Sequence, residues 1–300
     1  MRQKLKAALE LMRPANIVTA FADILAGFAA AGGVIYFSTG LPAASPTGLP
    51  WLLLSTFGLY GGGVVLNDLF DAKLDAEERP ERPIPSGRIT RAGGALLAIL
   101  LLTTGILAAT QVNVYAGWIA ICITMSVVIY DSMAKHSAIL GPLFMGLCRG
   151  GNLLLGVSII PVVVTELWFL ALIPVTYIGA ITLISRGEVH GGSRATGFAA
   201  LVSVVLVFAT LGILAIIPYY NLVTALPFIL LFGYMILPPF FRAATHPEAV
   251  RIRTAVKRGV LSLIILNSAL TAGFAGLLPG IIVLLLLPLS LLLSRTFSVT

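Results

Sequence analysis

The run Leu66-Asn67-Asp68-Leu69-Phe70-Asp71-Ala72-Lys73-Leu74-Asp75 gathers an amide and three carboxylates at the end of an apolar stretch. At about 100° per residue in a helix, Asn67, Asp71 and Asp75 share one face. Asp68 stands beside Asp71 and Asp75, so all four can point into one pocket. Like charges this close repel, and a cation is the natural compensation. Few, hard oxygen donors beside an open cavity suit Mg²⁺, which keeps part of its water and takes phosphate oxygens as further ligands. The plain alternative is a helix end whose acids are solvated. Directly downstream lies Glu77-Glu78-Arg79-Pro80-Glu81-Arg82-Pro83-Ile84-Pro85-Ser86-Gly87-Arg88, a proline-stiffened loop presenting Arg79, Arg82 and Arg88. Carboxylates for a metal and guanidinium groups for phosphate, on one loop, describe a diphosphate site.

The elements that must position these groups are membrane helices. Of the 300 residues, 58% are hydrophobic and 10% charged, and the mean hydropathy of +1.03 excludes an ordinary soluble domain. Apolar windows of helical length fall near 16–38, 51–70, 92–111, 113–131, 138–161, 167–185, 197–217, 222–241, 258–275 and 277–294, each long enough to cross a hydrocarbon core of roughly 30 Å. In lipid the backbone must pair within each segment, so the windows predict helices and an all-α, polytopic bundle of nine to ten spans. Pro279 and Gly280 mark either a hairpin between the last two spans or a break within one. The first window is longer than a signal-peptide core and reads as a retained helix. No linker interrupts the chain, which predicts a single membrane domain over 1–300, and no internal repeat stands out.

Positive charge is one-sided. Arg2, Lys4, Lys6 and Arg13 precede the first span, and Lys73, Arg79, Arg82, Arg88 and Arg91 follow the second. Lys135, then Arg186 and Arg194, then Arg242, Arg251, Arg253, Lys257 and Arg258 occupy every second loop thereafter, and Arg295 follows the last window. The alternate connections lack Lys and Arg, so the basic loops face the cytoplasm, as expected for a bacterial inner (plasma) membrane protein with its site on the cytoplasmic side. The net charge of +7 is a topology signal with a secondary attraction to anionic headgroups. Scattered through loops, the cations make no nucleic-acid groove. Cys122 and Cys148 both fall inside spans, which argues against a disulfide or a thiolate metal site.

The stretch from Asn67 to Asp75 resembles the first acidic motif, NDxxDxxxD, of the UbiA superfamily of intramembrane prenyltransferases, and Arg79 to Gly87 resembles its RPxRPxxSG continuation. Arg13-Pro14-Ala15-Asn16 is similar to that family's RPxN opening, and Tyr130 with Lys135 to its YxxxxK element. The resemblance implies nine helices around a central cavity that opens sideways to lipid. It implies Mg²⁺ on Asn67, Asp68, Asp71 and Asp75, with Asp68 and Asp71 catalytic. Asn16, Arg79, Arg82, Tyr130 and Lys135 would contact substrate, Arg82 and Lys135 near the phosphates. The implied reaction is transfer of a prenyl group from a prenyl diphosphate to an aromatic or other lipophilic acceptor.

The second acidic motif departs from that pattern. Where a DxxxD-type pair is expected after the sixth span, the chain has Ser185-Arg186-Gly187-Glu188-Val189-His190-Gly191-Gly192-Ser193-Arg194. Three readings stand. Glu188 alone completes a metal site and joins the catalytic set; Arg186, His190 and Arg194 replace a lost metal by direct phosphate contacts; or the protein only binds or moves its prenyl lipid without catalysis. The same stretch also resembles the UbiA-like branch called EboC. A CDP-alcohol phosphotransferase would need a DG-x2-AR segment, which the chain lacks.

Arg149 is a cation inside a span, where it costs about 2.5–3.5 kcal/mol on insertion scales, so an inward role is expected. It could bind an anionic acceptor, pair with the acidic site, or serve as a structural partner for another helix. Gly146, Gly150 and Gly151 beside it predict close helix packing. Asp23 and Asn16 line the cavity or pack. Asp131 is expected to be a solvated helix-end acid, His136 and His246 carry no role, and Trp51 and Trp168 read as interface anchors.

Overall fold

The computed structural model describes residues 2–39, 46–295 and 297, which form helices and connections without a strand. An amphipathic helix α1 (Arg2–Met12) leads into α2 (Pro14–Thr39), α3 (Leu49–Phe70), the short α4 (Ala72–Glu78), α5 (Arg91–Thr110) and α6 (Val114–Ile129). There follow α7 (Leu140–Val157), α8 (Pro161–Leu167), α9 (Leu172–Ser185), α10 (Arg194–Ile213), α11 (Leu222–Thr245), α12 (Ala249–Ala275), α13 (Leu277–Leu284) and α14 (Leu286–Ser294). Among the described residues, 10 helical segments are long and apolar enough to cross a membrane, within the nine to ten expected from hydropathy and one more than the family resemblance implied.

The helices begin where the sequence supplies a cap. Thr90, Asn113, Ser193 and Asn221 each accept a backbone N–H of the first turn that follows, opening α5, α6, α10 and α11 and filling donors that a helix start leaves unpaired. The last break falls at Gly276, whose φ of 94° a residue with a side chain would strain to adopt. Pro279 and Pro288 sit in the first turns of α13 and α14, where a missing N–H costs nothing. Arg251, Arg253, Lys257 and Arg258, expected in a loop, ride instead on the opening turns of α12, and Arg242 on the last turn of α11.

Burial separates inner from outer helices. The apolar windows of α12 and α2 are 83% and 78% buried, against 28% for α5, α6, α10 and α11 and 17% for the last span. The outer helices leave Leu96, Ile99, Leu107, Val202 and Leu230 facing outward, as a lipid-facing surface requires. Because lipid gives helices no hydrophobic reason to associate, close backbone approach matters. A Cβ on Gly27 of α2 would lie 2.1 Å from the Leu153 carbonyl oxygen, and one on Gly156 of α7 would lie 2.4 Å from that of Ile24. Gly146 and Gly150 meet the backbone of α9 and its 3₁₀ lead-in in the same way, as expected from sequence.

Polar groups fasten the inner helices. Asp23 on α2 is 0% exposed and Arg149 on α7 4%; Arg149 Nε lies 3.0 Å from Asp23 Oδ2, and its Nη2 donates to the Thr19 carbonyl at 3.0 Å. Asn152 of α7 and Asn267 of α12 donate to the two Asp23 oxygens at 3.1 and 2.7 Å. Thr56 of α3 donates to Asn152 Oδ1 at 2.6 Å. One carboxylate thus joins three helices and, through Asn152, a fourth. Arg149 pairs with Asp23 on another helix and not with the acidic motif.

Breaking this pair has a defined consequence. Arg149→Met leaves the Asp23 charge uncompensated in an apolar interior and is expected to destabilise the protein by about 3–5 kcal/mol. The double variant Arg149→Met/Asp23→Leu is expected to recover much of that loss, measured as thermal unfolding in detergent.

Candidate active site at the acidic helix end

The acidic face survives the end of α3. Asp71 N donates to the Asn67 carbonyl at 2.9 Å, Asp75 N to Asp71 at 2.8 Å and Arg79 N to Asp75 at 2.9 Å, so helical spacing carries through the bend into α4. Asn67, Asp71, Asp75 and Arg79 consequently line one cavity of about 420 Å³. Its walls are apolar, with Leu59, Ile123, Val127, Ile178, Ile181 and Leu263 among them, and Asn16, Tyr60, Tyr130, Arg149 and Asn152 add polar groups. Asp68, expected to share the pocket, does not line it. One position round the helix from Asn67, it is 4% exposed and accepts from Arg13 at 2.7 Å and Arg82 at 3.3 Å.

Each acid of the first motif has a cation. Arg82 spans Asp68 and Asp75, the latter at 2.8 Å, and the Lys135 ammonium pairs with Asp71 while lying 5.8 Å from the Phe70 ring centre. Arg13, read from sequence as a topology marker and as the first residue of the RPxN match, is central here. Its backbone takes φ 49°, a left-handed conformation that costs a non-glycine residue energy, and its guanidinium holds Asp68. The RPxN match, whose first residue is Arg13 itself, was the signal for it, although no role was drawn from it. Arg88 is not part of the site: it pairs with Glu10 of α1 and donates to the Glu81 carbonyl at 2.7 Å.

The loop after α9 contributes one acid. Glu188 lines the cavity, and its Oε1 is buried without a hydrogen-bond partner. Burial pushes the Glu188 carboxyl above its ordinary value of 4.5, with the Arg79 and Arg253 charges pulling the other way. Arg186 donates to the carbonyls of Lys135 and His136 at 3.3 and 2.8 Å, tying two loops together, and His190 is exposed. None of Arg186, His190 and Arg194 lines the cavity, so the geometry does not favour direct phosphate contacts from this loop. Asp131, expected to be solvated, is 2% exposed and lines the cavity, four residues before Lys135 in a π-helical turn (Tyr130–Ala134).

A hard divalent cation fits this donor set. Among the described residues no three His, Cys, Asp or Glu side chains converge on one metal position. A Mg²⁺ ion that arrives with phosphate needs only one or two carboxylates, because water and phosphate oxygens complete its octahedron. Asn67, Asp71 and Asp75 from one side and the unpartnered Glu188 oxygen from the other supply such donors.

The raised Glu188 pKa sets the sign of a pH effect. Folded protein holds this proton more tightly than the unfolded chain, so the contribution to stability is full below pH 4.5 and is lost as pH rises through the raised value. In metal-free protein, Glu188→Gln is expected to abolish that component, seen as a flatter dependence of Tm on pH than the wild type gives.

Comparison with known proteins agrees with the geometry. The model of the UbiA prenyltransferase family matches residues 24–246. A digeranylgeranylglyceryl phosphate synthase of Methanosarcina mazei is 34% identical over 165 residues, 52% of this chain and 55% of that protein. The chain thus spans about half the length of the curated relatives it matches. A UbiA homologue from Aeropyrum pernix superimposes with a TM-score of 0.69 at 14% identity, covering 86% of this chain and 97% of its own. A homologue from Archaeoglobus fulgidus bound to GPP and Mg²⁺ superimposes with a TM-score of 0.53 at 13% identity, covering 96% and 99%. At these identities the two structures establish the fold alone. With a family match across most of its length and the same helical architecture, the chain belongs to the UbiA prenyltransferase family.

Proposed function

We propose that the chain, acting as one membrane domain, transfers a prenyl group from a prenyl diphosphate to a lipophilic acceptor inside this cavity. The observation that carries the reading is the meeting of the Asn67, Asp71 and Asp75 face with the unpartnered Glu188 oxygen, ringed by Arg13, Arg79, Arg82 and Lys135. The Archaeoglobus fulgidus homologue that binds GPP with Mg²⁺ supports the choice of donor and ion. Among Asn67, Asp71, Asp75 and Glu188 are the one or two carboxylates and the amide that would hold Mg²⁺, which when bound would supply positive charge to the diphosphate. Arg82 and Lys135 then swing from their carboxylates to phosphate oxygens, so charge leaving the allylic carbon is met by cations already in place. The C–O bond to diphosphate breaks, its electron pair departs with the diphosphate, and the acceptor oxygen bonds to the allylic carbon while its proton passes to the released diphosphate. The apolar walls exclude water, which would otherwise capture the cation.

The relatives' name describes a glyceryl phosphate carrying two geranylgeranyl groups. That favours a glyceryl phosphate hydroxyl as acceptor over an aromatic ring, where the sequence left an aromatic or other lipophilic acceptor open. The concentration of Lys and Arg in the loops around the acidic helix end supports a mouth on the cytoplasmic side; the relatives being archaeal, no bacterial membrane is assigned. The pairing of Asp68, Asp71 and Asp75 with protein cations favours a second reading, a protein that holds a prenyl lipid without catalysis.

Calorimetric titration with geranylgeranyl thiodiphosphate separates the two. Binding that requires Mg²⁺ and disappears in both Asp71→Ala and Glu188→Ala is expected for the transferase; Mg²⁺-independent binding of the lipid in all three proteins supports the carrier. A second expectation follows from the ion pairs. Mg²⁺ alone should bind weakly, because Arg82 and Lys135 already neutralise its carboxylates, and tightly once diphosphate draws those cations away.

A further inference from the structure

Asp131 is a buried acid that the proposed chemistry leaves without a task. It lines the cavity beside Asn67, and the Asn67 side chain donates Nδ2–H to Asp131 Oδ1 at 2.7 Å. The two ends of a carboxamide differ: one nitrogen with two protons, one oxygen with two lone pairs. In this contact Asp131 Oδ1 is the acceptor, as a carboxyl oxygen facing an N–H must be. Opposite Asp131, therefore, Asn67 has one favourable orientation, nitrogen toward the carboxylate and Oδ1 away, because the flipped amide would set oxygen against oxygen. Among the described residues Oδ1 holds no hydrogen bond, and the Asn67 side chain borders the cavity.

The backbone is built to place this contact. Lys135 N bonds to the carbonyl of Tyr130 at 2.9 Å, five residues back, which is the spacing of a π turn, and such turns concentrate at functional sites. The extra residue lets Asp131 reach Asn67 while Lys135 reaches Asp71, so one distorted turn addresses two positions of the acidic face.

We infer that Asp131 is a positioning residue: it holds the Asn67 carboxamide with its oxygen toward the cavity, making Asn67 an oxygen donor for a divalent cation bound with diphosphate. The inference rests on the proposed function. Partners of this kind, bonded to a metal ligand and not to the metal, typically change metal affinity about 10–100-fold when removed.

The test is titration of Mg²⁺ into the full chain in detergent at saturating geranylgeranyl thiodiphosphate, with Tm recorded for each variant. Asp131→Asn preserves volume and can still bond to Asn67, but it presents either an N–H or a C=O, so the orientation is no longer imposed. The expected result is a Mg²⁺ affinity about 10–100-fold weaker with Tm unchanged. The exchange Asn67→Asp/Asp131→Asn puts a carboxylate at 67, which shows an oxygen to the cavity however it turns and accepts from the new amide at 131. Its affinity is expected to return toward the wild-type value. An Asp131→Asn protein that titrates like the wild type overturns the inference, as does an exchange variant that folds and binds no better than Asp131→Asn. Should Asp131→Asn fail to fold, the exchange variant alone decides, wild-type-like affinity supporting the inference and weak affinity overturning it. A wild type that shows no Mg²⁺-dependent binding removes the proposed function and this inference with it; a wild type that binds beside an unaffected Asp131→Asn removes only the inference.

Discussion

A charge in hydrocarbon has to find its partner on another helix, since neither water nor lipid tails will supply one. That requirement organises the inner bundle. Asp23 is satisfied by Arg149, Asn152 and Asn267, and Thr56 joins through Asn152, so α2, α3, α7 and α12 are fixed in depth as well as in direction. Glycines on α2 and α7 let the backbones come close enough for those side chains to meet. Apolar packing alone would allow the helices to slide along one another, because one leucine-rich surface resembles the next; the polar cluster ties them at defined positions. The cavity stands directly on this arrangement, with Arg149 and Asn152 in its wall.

At the cavity mouth the same rule yields a different result. Three carboxylates of the first motif are balanced by Arg13, Arg82 and Lys135, each cation arriving from a different part of the chain. A site so balanced is stable without a metal, and it keeps its cations where a diphosphate would need them. Glu188 is the exception: its Oε1 has no partner, and burial favours its neutral form. One acid left unsatisfied opposite three that are paired describes a site whose charge balance is completed by what it binds.

The membrane class was legible because hydropathy over a span is a sum, insensitive to where any one side chain points. The Asn67–Asp71–Asp75 face was legible because helical periodicity fixes it locally, and backbone bonds carry that periodicity through the bend. Other expected positions differ in the structure. Asp68 turned away from the cavity because Arg13 and Arg82 hold it on the adjacent face. Arg88 left the diphosphate site because Glu10 of α1 was in reach. His190 lies exposed on its loop, away from the cavity.

From residue types and spacing alone came the all-α membrane architecture and the acidic motif with its arginine continuation, and the resemblance of those motifs to a known family pointed to the family. Those properties depend on composition or on contacts within a few residues of one chain segment. Tertiary structure decided which charge pairs with which: that Arg149 meets Asp23 and not the acidic motif, that Arg13 belongs to the site, and that Asp131 is buried against Asn67. Each of these joins residues on different helices, and an electrostatic partner is chosen by distance in three dimensions, which spacing along the chain does not encode.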